Sequence, residues 1–319
     1  MFFNIKKYGN DVYFGQLCRS LNGMNNKLIS WLLFGLLSFI WGSSFILIKG
    51  GLLHLSAYQV ASLRIISSGL VLLPVAIASR RQIPRNKLGI IFLSGLIGSL
   101  LPAYLFCLAE EEIDSSLAGT LNSLTPIFAI IAAALFFQTK TPRYKLWGIL
   151  LALSGSVLLF LSQPGFKDNS NAISILYVVL ATAFYGYNVN MVQRHLGNIS
   201  SLKVVSVALS LNAIPAAVVL FFTGYFEQDF LQKDILISTG YAAVLGIFGT
   251  ALATVLFYIL IKRAGAVFAS MVTYGIPAVA IFWGIIYGEE IGWKQILAVF
   301  IILAGVWLAN RKPKQISGV

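Results

Sequence analysis

The sequence SLAGTLNSLTPIFAIIAAALFF, residues 116–137, is an apolar stretch of helix length with a Thr125–Pro126 pair near its middle. A second stretch, FASMVTYGIPAVAIFWGIIYG at 268–288, resembles it, and its Pro277 lies 151 residues after Pro126. A proline inside a membrane-spanning helix leaves a backbone carbonyl without its usual partner, and is tolerated where neighbouring groups or water replace that bond. We therefore predict helix breaks at Pro126 and Pro277. Interrupted helices in matching positions of two halves point to a central binding site.

The composition is that of a membrane protein. The 319 residues are 58% hydrophobic and 11% charged, and the mean hydropathy is +0.84, whereas a soluble domain carries about 25% charged residues. The net charge of +12 comes from short basic clusters between apolar stretches. Such clusters indicate membrane topology, and no nucleic-acid partner is expected. The two cysteines, Cys18 and Cys107, imply neither a disulfide nor a metal framework.

Ten apolar runs are long enough to cross a bilayer as helices, which takes about 20 residues each. The runs are continuous, whereas spanning strands would alternate apolar and polar residues. The predicted fold is therefore all-α, a polytopic membrane protein with ten transmembrane helices. These helices are predicted at roughly 31–49, 57–79, 88–108, 115–137, 144–162, 172–191, 202–223, 236–261, 266–287 and 293–310.

The charges in the loops predict how these helices are oriented. Of the 23 basic residues, 18 fall in the two termini and one alternating set of loops, four fall in the other set, and Arg64 lies inside a span. The positive-inside rule places the basic side, with both termini, in the cytoplasm. The expected location of the protein is the cell's plasma (inner) membrane. Ten of the 11 acidic residues, Glu110 among them, fall on the opposite side.

The similarity between the two halves extends beyond the proline segments. GLIGSLLPAYLF at 95–106 aligns with GIFGTALATVLF at 246–257, and Gly155 aligns with Gly305. Each half then holds five helices, and because five is odd the second half must cross the membrane in the opposite sense. Such an inverted repeat is used by alternating-access transporters. The predicted divisions are an N-terminal tail, a first repeat, a linker, a second repeat and a basic tail, at 1–30, 31–162, 163–171, 172–310 and 311–319.

Arg64 is the one basic residue predicted well inside a span. A charge within the bilayer is expensive, so it is by default a candidate site residue. Two interpretations stay open: contact with substrate in a cavity, or a structural anchor whose side chain reaches the outer headgroups or a helix C-terminus. In a cavity, the planar guanidinium would suit a carboxylate or a phosphate.

Further polar and aromatic residues cluster in four of the predicted helices. Some lie beside the carbonyls freed by the prolines, where interhelical hydrogen bonding is the alternative role. Trp41 and Tyr185 lie too far into their spans for an interfacial aromatic belt, so cavity lining is favoured for both. A stripe of small residues favours close packing, with lining of a route as the alternative for Thr250 and Thr254. The predicted substrate-binding residues are Trp41, Ser44, Arg64, Asn122, Thr125, Tyr185, Asn188, Thr273 and Tyr274.

Enzymatic functions are disfavoured. The sequence contains no HExxH, no GxxxxGK and no Cys/His constellation, which would supply a metal site, a phosphate loop or a nucleophile with its base. No Asp or Glu is predicted near the membrane midplane, where a proton relay would use one. We expect no enzyme activity, no cofactor and no metal.

Several motifs, in this order and spacing, resemble those of the drug/metabolite transporter superfamily, and specifically its EamA-type members with two five-helix repeats. They are WGSSF at 41–45 followed by Arg64, the Pro126 segment, GILLALSGSVLL at 148–159 and IPAVAIFWGIIYGEEIGWKQILAVFIILAGVWL at 276–308. The resemblance covers about residues 30–310 and implies a helical bundle around a central cavity. The family's Glu after the last proline helix matches Glu289, whereas the corresponding first-repeat position here is Gln138.

We therefore expect a secondary transporter that exports or exchanges a small metabolite, such as an amino acid or a drug-like compound, by alternating access. Its expected partners are the small-molecule substrate and the lipid bilayer, and a homodimer is left open. The alternative from another class is a lipid-handling or structural membrane protein without a solute pathway.

Overall fold

The structure is a computed structural model, and it describes residues 26–113, 115–139, 141–162, 172–229, 232–279, 282 and 292–309. Helices and short connections account for these residues, with no strand among them. In chain order the α-helices are α1 Asn26–Leu52, α2 Ala57–Ser79, α3 Leu88–Gly95, α4 Leu101–Glu112, α5 Ser115–Asn122, α6 Thr125–Leu135, α7 Arg143–Leu161, α8 Ala172–His195, α9 Ser201–Phe221, α10 Lys233–Val244, α11 Ala253–Ala264, α12 Ala266–Ser270 and α13 Trp293–Ala309.

Seven helical segments in the described part of the chain are long and apolar enough to cross a membrane. Large apolar side chains cover their outer faces; Leu135, for example, is 70% exposed. Such a surface suits lipid, since soluble proteins rarely expose large apolar patches. The all-helical polytopic prediction is confirmed at this level. The seven segments are Lys27–Leu52, Ala57–Ser79, Arg85–Glu112, Leu117–Leu135, Ala172–His195, Ser201–Phe221 and Lys233–Ala264.

The other three predicted spans also contain helix. The fifth contains α7, the ninth begins with the shorter apolar helix Ala266–Val279, and the tenth contains α13. The ninth continues largely outside the described residues. Several helices extend past the predicted apolar runs, and α1 begins five residues before its run and ends three after it. Backbone hydrogen bonding continues after the apolar residues stop, so hydropathy underestimates helix length.

Neither proline segment is a single continuous α-helix. The first is divided at Ser123 and Leu124, and α6 then starts with Pro126 in its first turn. A proline is well tolerated there because the N–H that it lacks would have no helical partner. In the second segment α12 gives way to a 3₁₀-helix, Met271–Gly275, and helical structure follows from Ile276.

Two π-helical turns interrupt long helices. One, Leu96–Leu100, joins α3 to α4, and the other, Leu245–Leu252, joins α10 to α11. They fall in the two stretches, 95–106 and 246–257, whose sequences repeat each other. The sequence predicts an uninterrupted helix at both places. It does not reveal the turns, because a π-helical turn has no distinct hydropathy pattern. Such turns occur frequently at functional sites.

Helices α2 and α9 pack along their lengths and run antiparallel. At one end Gln59 Nε2 donates to the carbonyl of Thr223 at 3.1 Å. Further along, Ser210 Oγ donates to the carbonyl of Gly69 at 3.1 Å. At the other end Lys203 Nζ donates to Gln82 Oε1.

Helices α7 and α13 form a second antiparallel pair. A methyl group at Gly148 would overlap Ala309, and one at Gly155 would lie 2.8 Å from Ile302. One at Gly305 would overlap the backbone of α7. Glycines on both helices therefore allow the backbones to approach closely, as is common between membrane helices.

Candidate functional site

A cavity of about 80 Å³ lies inside the bundle, where the broken helices and both π-helical turns meet α1, α2 and α8. Half of its lining residues precede position 163 and half follow position 171. The lining residues are Trp41, Ser44, Phe45, Ile48, Arg64, Gly98, Ser99, Phe106, Asn122, Thr125, Tyr185, Asn188, Gly249, Thr250, Thr254, Phe257, Tyr258, Ser270, Thr273 and Ile276.

The structure brings together eight of the nine residues predicted from sequence to bind substrate. Trp41, Ser44, Arg64, Asn122, Thr125, Tyr185, Asn188 and Thr273 all line the cavity. Tyr274 does not: its side chain is buried against α7, where its hydroxyl donates to the carbonyl of Ile149 at 3.0 Å. Successive helical residues point in different directions, so its neighbour Thr273 lines the cavity while Tyr274 lies elsewhere.

Arg64 lies in the cavity wall and is held by the other half of the chain. Its side chain is 9% exposed, and its Nε donates to Thr250 Oγ1 at 2.7 Å. Thr250 belongs to the second π-helical turn. The structure therefore places Arg64 in the cavity wall, and its bond to Thr250 lies inside the bundle rather than at the headgroups.

Trp41 is fixed against the same π-helical turn. Its indole Nε1 donates to the carbonyl of Gly249 at 3.0 Å, and its ring meets that of Phe257 edge-on at 4.9 Å between centroids. Ser44, one turn further along α1, packs beside Gly249, where a methyl group would lie 2.8 Å from the Ser44 hydroxyl. The absence of a side chain at Gly249 therefore allows α1 to approach this turn.

The carbonyl freed by Pro126 is that of Asn122, four residues earlier. Thr125 Oγ1 donates to it at 2.8 Å and lies 3.1 Å from the Asn122 side-chain oxygen. In the second copy the carbonyl of Thr273 instead accepts from the Ile276 N–H in a 3₁₀ bond. The two copies therefore replace the missing bond differently, because Ile276 has no hydroxyl.

The wall on the α8 side combines an amide with aromatic rings. Asn188 Nδ2 donates to the Tyr258 hydroxyl at 3.3 Å, while Oδ1 of the same amide has no partner among the described residues. The rings of Tyr185 and Phe106 stack at 6.2 Å. Gly98 lies so close to Asn188 that a methyl group there would overlap the amide. The first π-helical turn thus packs tightly against α8.

Several lining residues were missed or left open at the level of sequence. The stripe of small residues includes Ser99, for which the sequence predicts packing alone, and Thr250 and Thr254, for which lining of a route is the alternative. All three line the cavity. The signal that could have found Ser99 is its alignment with Thr250, since both place a hydroxyl in the repeated stretch. The same alignment pairs Gly98 with Gly249 and Phe106 with Phe257 as identical residues, so it could also have found Gly98, Gly249 and Phe257. Tyr258 and Ser270 carry no sequence signal that distinguishes them from ordinary core residues.

Glu110 is buried at the end of α4. The loop charges predict that it lies towards the outer side; its side chain is 1% exposed, with Oε2 accepting from Ser115 Oγ at 2.8 Å and Oε1 without a partner in the described chain. Lys49 Nζ donates to the backbone carbonyls of Glu110 and Ile113, at 2.7 and 3.1 Å. Within the described residues, no group of three His, Cys, Asp or Glu could hold a metal ion.

A bundle of apolar helices around an internal cavity with polar and aromatic walls defines an integral membrane protein with an internal site. The comparisons with known proteins identify the family. The model of the EamA-like transporter family matches residues 29–161 and again 172–311. The chain belongs to this family, which confirms the resemblance seen in the sequence, and the family and the names of its relatives point to a transporter of a small-molecule substrate rather than an enzyme.

The relatives are full-length matches of moderate identity. An uncharacterized transporter of Archaeoglobus fulgidus is 26% identical, covering 88% of this chain and 99% of the relative. The uncharacterized inner membrane transporter YedA of Escherichia coli is 25% identical, covering 86% and 90%. An S-adenosylmethionine/S-adenosylhomocysteine transporter of Chlamydia muridarum is 24% identical, covering 84% and 87%. A solved crystal structure that is 15% identical aligns with a TM-score of 0.67, covering 88% and 96%, which shows a shared fold.

Proposed function

We propose that this protein is a secondary transporter that moves a small metabolite, such as an amino acid or a drug-like compound, by alternating access. The observation that carries the proposal is the cavity, whose wall takes half of its residues from each half of the chain. If the two halves rock against each other, a site shared between them opens to one side of the membrane at a time. Export or exchange is the proposed direction.

The proposed architecture is ten transmembrane helices in two inverted five-helix repeats, at 31–162 and 172–310. The family model matches the chain twice, close to these bounds. Helices α2 and α9 occupy corresponding places in the two halves and run antiparallel, and so do α7 and α13. Antiparallel equivalents are what an inverted repeat requires. Both termini are proposed to be cytoplasmic, on the basis of the positive-inside distribution of basic residues.

The names of relatives support a soluble metabolite as cargo. The Chlamydia relative is a transporter of S-adenosylmethionine and S-adenosylhomocysteine. A probable amino-acid metabolite efflux pump of Salmonella typhimurium is 30% identical over 146 residues, 46% of this chain. We propose that the eight cavity-lining residues predicted from sequence contact the cargo, namely Trp41, Ser44, Arg64, Asn122, Thr125, Tyr185, Asn188 and Thr273.

Transport is tested with purified protein in liposomes loaded with radiolabelled amino acids, glucose or a lipophilic cation. Thr254→Trp should abolish movement of any transported compound, because the larger side chain fills the cavity that Thr254 lines. Phe248→Trp is the matched control, since Phe248 lies in the adjoining π-helical turn with its side chain 53% exposed. If Thr254→Trp transports a compound as fast as Phe248→Trp does, the compound does not pass through this cavity.

The alternative, a lipid-handling or structural membrane protein without a solute pathway, predicts a dry interior at the proline helices. Single cysteines at Asn122 and Thr273 should react with a membrane-impermeant thiol reagent if the cavity opens to water. Val272→Cys is the matched control beside Thr273, because Val272 is 0% exposed and lies outside the cavity lining. Cys18 and Cys107 are first replaced by serine. Equal protection of all three cysteines would favour the alternative.

A further inference from the structure

The cavity lining holds a positive charge, and the buried Glu110, which interacts electrostatically with Arg64, lies outside the lining. Arg64 is the charged residue among those that line it, and no lining residue is acidic. A cation buried within a membrane protein is costly unless it is paired, and the cost falls when an anion occupies the same space. The Arg64 side chain makes no ion pair with a described carboxylate, and its hydrogen bond goes to a neutral hydroxyl.

Thr250 holds the guanidinium in one orientation. The Thr250 hydroxyl accepts from Arg64 Nε at 2.7 Å and lies 3.4 Å from the carbonyl of Leu245, to which it donates. A hydroxyl donates one hydrogen and offers its lone pairs elsewhere, so donation to Leu245 turns the lone pairs toward Arg64. Nε is therefore occupied, and the two terminal amino groups have no partner among the described residues. The planar fork of terminal N–H groups is suited to two parallel bonds to one anionic group.

We propose that the terminal amino groups of Arg64 bind a single carboxylate of the transported substrate; this inference rests on the proposed transport function. The charges balance, because one guanidinium neutralises one carboxylate. A phosphate monoester carries about 1.5 to 2 negative charges near neutral pH, more than the one cation lining the cavity can neutralise. The carboxylate is therefore favoured over a phosphate.

The rest of the wall determines what the carboxylate is attached to. Two aromatic pairs, Trp41 with Phe257 and Phe106 with Tyr185, face the cavity. Aromatic side chains bury large apolar area in a bound ligand. The substrate class assigned to this site is therefore a small carboxylic acid with an apolar body, with its carboxylate directed toward α2 and the second π-helical turn.

The test compares ligands that differ only in their head group. Purified protein in detergent is titrated with phenylacetate, phenylacetamide and phenyl phosphate, and with phenylalanine and phenylalaninamide in case an amino group is required. Binding is followed as the rise in melting temperature, because a ligand stabilises the folded state by mass action. At least one carboxylate should raise the melting temperature, while its amide should bind about 10- to 100-fold more weakly, as expected for the loss of charge-assisted hydrogen bonds.

Variants then assign this preference to Arg64. Arg64→Gln should bind the carboxylate and the amide equally, and Arg64→Lys should keep the preference with weaker binding, because lysine lacks the fork. Arg85→Gln removes a charge from an exposed loop position and should keep the full preference. Should Arg64→Gln fail to fold, Thr250→Val keeps the charge but removes the acceptor that orients it, and should reduce the preference, while Thr250→Ser should retain it.

The outcomes separate the subsite from the transport function. The carboxylate proposal is overturned if neither carboxylate binds, if phenyl phosphate or the amides bind as well or better, or if Arg64→Gln and Thr250→Val keep the wild-type preference. Transport in liposomes without any Arg64-dependent preference would leave the transporter function standing and remove the subsite. Arg64-dependent binding of a carboxylate without any transport would support the subsite and contradict the transporter function.

Discussion

Asn122 presents a backbone carbonyl that no amide four residues later can reach, because that residue is Pro126. The Thr125 hydroxyl occupies the place of the missing donor at 2.8 Å. Thr125→Val removes the hydroxyl at nearly constant volume, and we expect it to lower the free energy of unfolding by about 1 kcal/mol. Melting temperature in detergent measures the loss. Thr125→Ser keeps a hydroxyl and should match the wild type; if serine and valine behave alike, the hydroxyl does not stabilise this break.

Lys49 stabilises the end of α4 in a similar way. Its ammonium group donates to the carbonyls of Glu110 and Ile113, which lie where the helical hydrogen bonds end. Lys49→Met keeps most of the apolar stem and removes both bonds, so we expect a loss of about 1–2 kcal/mol in unfolding free energy. Denaturant unfolding followed by tryptophan fluorescence measures it. Lys49→Arg should recover much of the loss, and an unchanged Lys49→Met variant would show that the cap contributes nothing.

At the residue scale, the depth of a residue in its span and its type together predict which side chains line the cavity. Trp41 and Tyr185 lie too far inside apolar runs for a belt role, and the structure places both in the cavity wall. Tyr274 could not be separated from Thr273 by the same reasoning, because hydropathy does not determine which way each side chain of a broken helix points. Glu110 could not be predicted as buried, because its burial depends on Ser115 and on helices distant in the chain.

The π-helical turns are the elements that hydropathy could not reveal. The residues of Leu245–Leu252 are as apolar as any helix, but the turn brings Gly246 against the carbonyl of Arg64 and the hydroxyl of Ser67. The similarity between residues 246–257 and 95–106 marks this stretch as part of an internal repeat, and its small residues indicate close packing. The sequence thus located the element but not its geometry, because both α- and π-helical bonding satisfy the same backbone groups.

A substitution at Gly246 tests how tightly the second π-helical turn packs against α2. A methyl group there would overlap α2 backbone, which cannot move aside as a flexible side chain can. We expect Gly246→Ala to lower the free energy of unfolding by about 1–3 kcal/mol, as overpacking does, with melting temperature as the measure. Gly240→Ala is the matched control, because a methyl group at Gly240 in α10 would meet nothing within 4 Å. If the two alanines have equal effects, α2 does not approach the turn this closely.

At the scale of the whole molecule, the antiparallel α2–α9 and α7–α13 pairs link the helix packing to the charge pattern. Gln59 contacts the connection after α9, and Gln82 contacts Lys203 near the start of α9. One end of the bundle therefore holds the α1–α2 and α9–α10 connections, and the other holds the α2–α3 and α8–α9 connections. The basic residues are concentrated at the second end, which the positive-inside rule assigns to the cytoplasm.

Sidedness can be read directly from single cysteines at these connections, after Cys18 and Cys107 are replaced by serine. His54→Cys and Glu227→Cys, at exposed positions of the first end, should react with an impermeant maleimide in intact cells. Gln82→Cys and Asn198→Cys, exposed at the second end, should react only after permeabilisation. Because His54 and Gln82 flank α2 while Asn198 and Glu227 flank α9, this pattern requires the two helices to cross in opposite senses. Labelling of His54→Cys and Asn198→Cys from the same side would contradict the proposed inverted repeat, and with it the symmetry that the proposed alternating access requires.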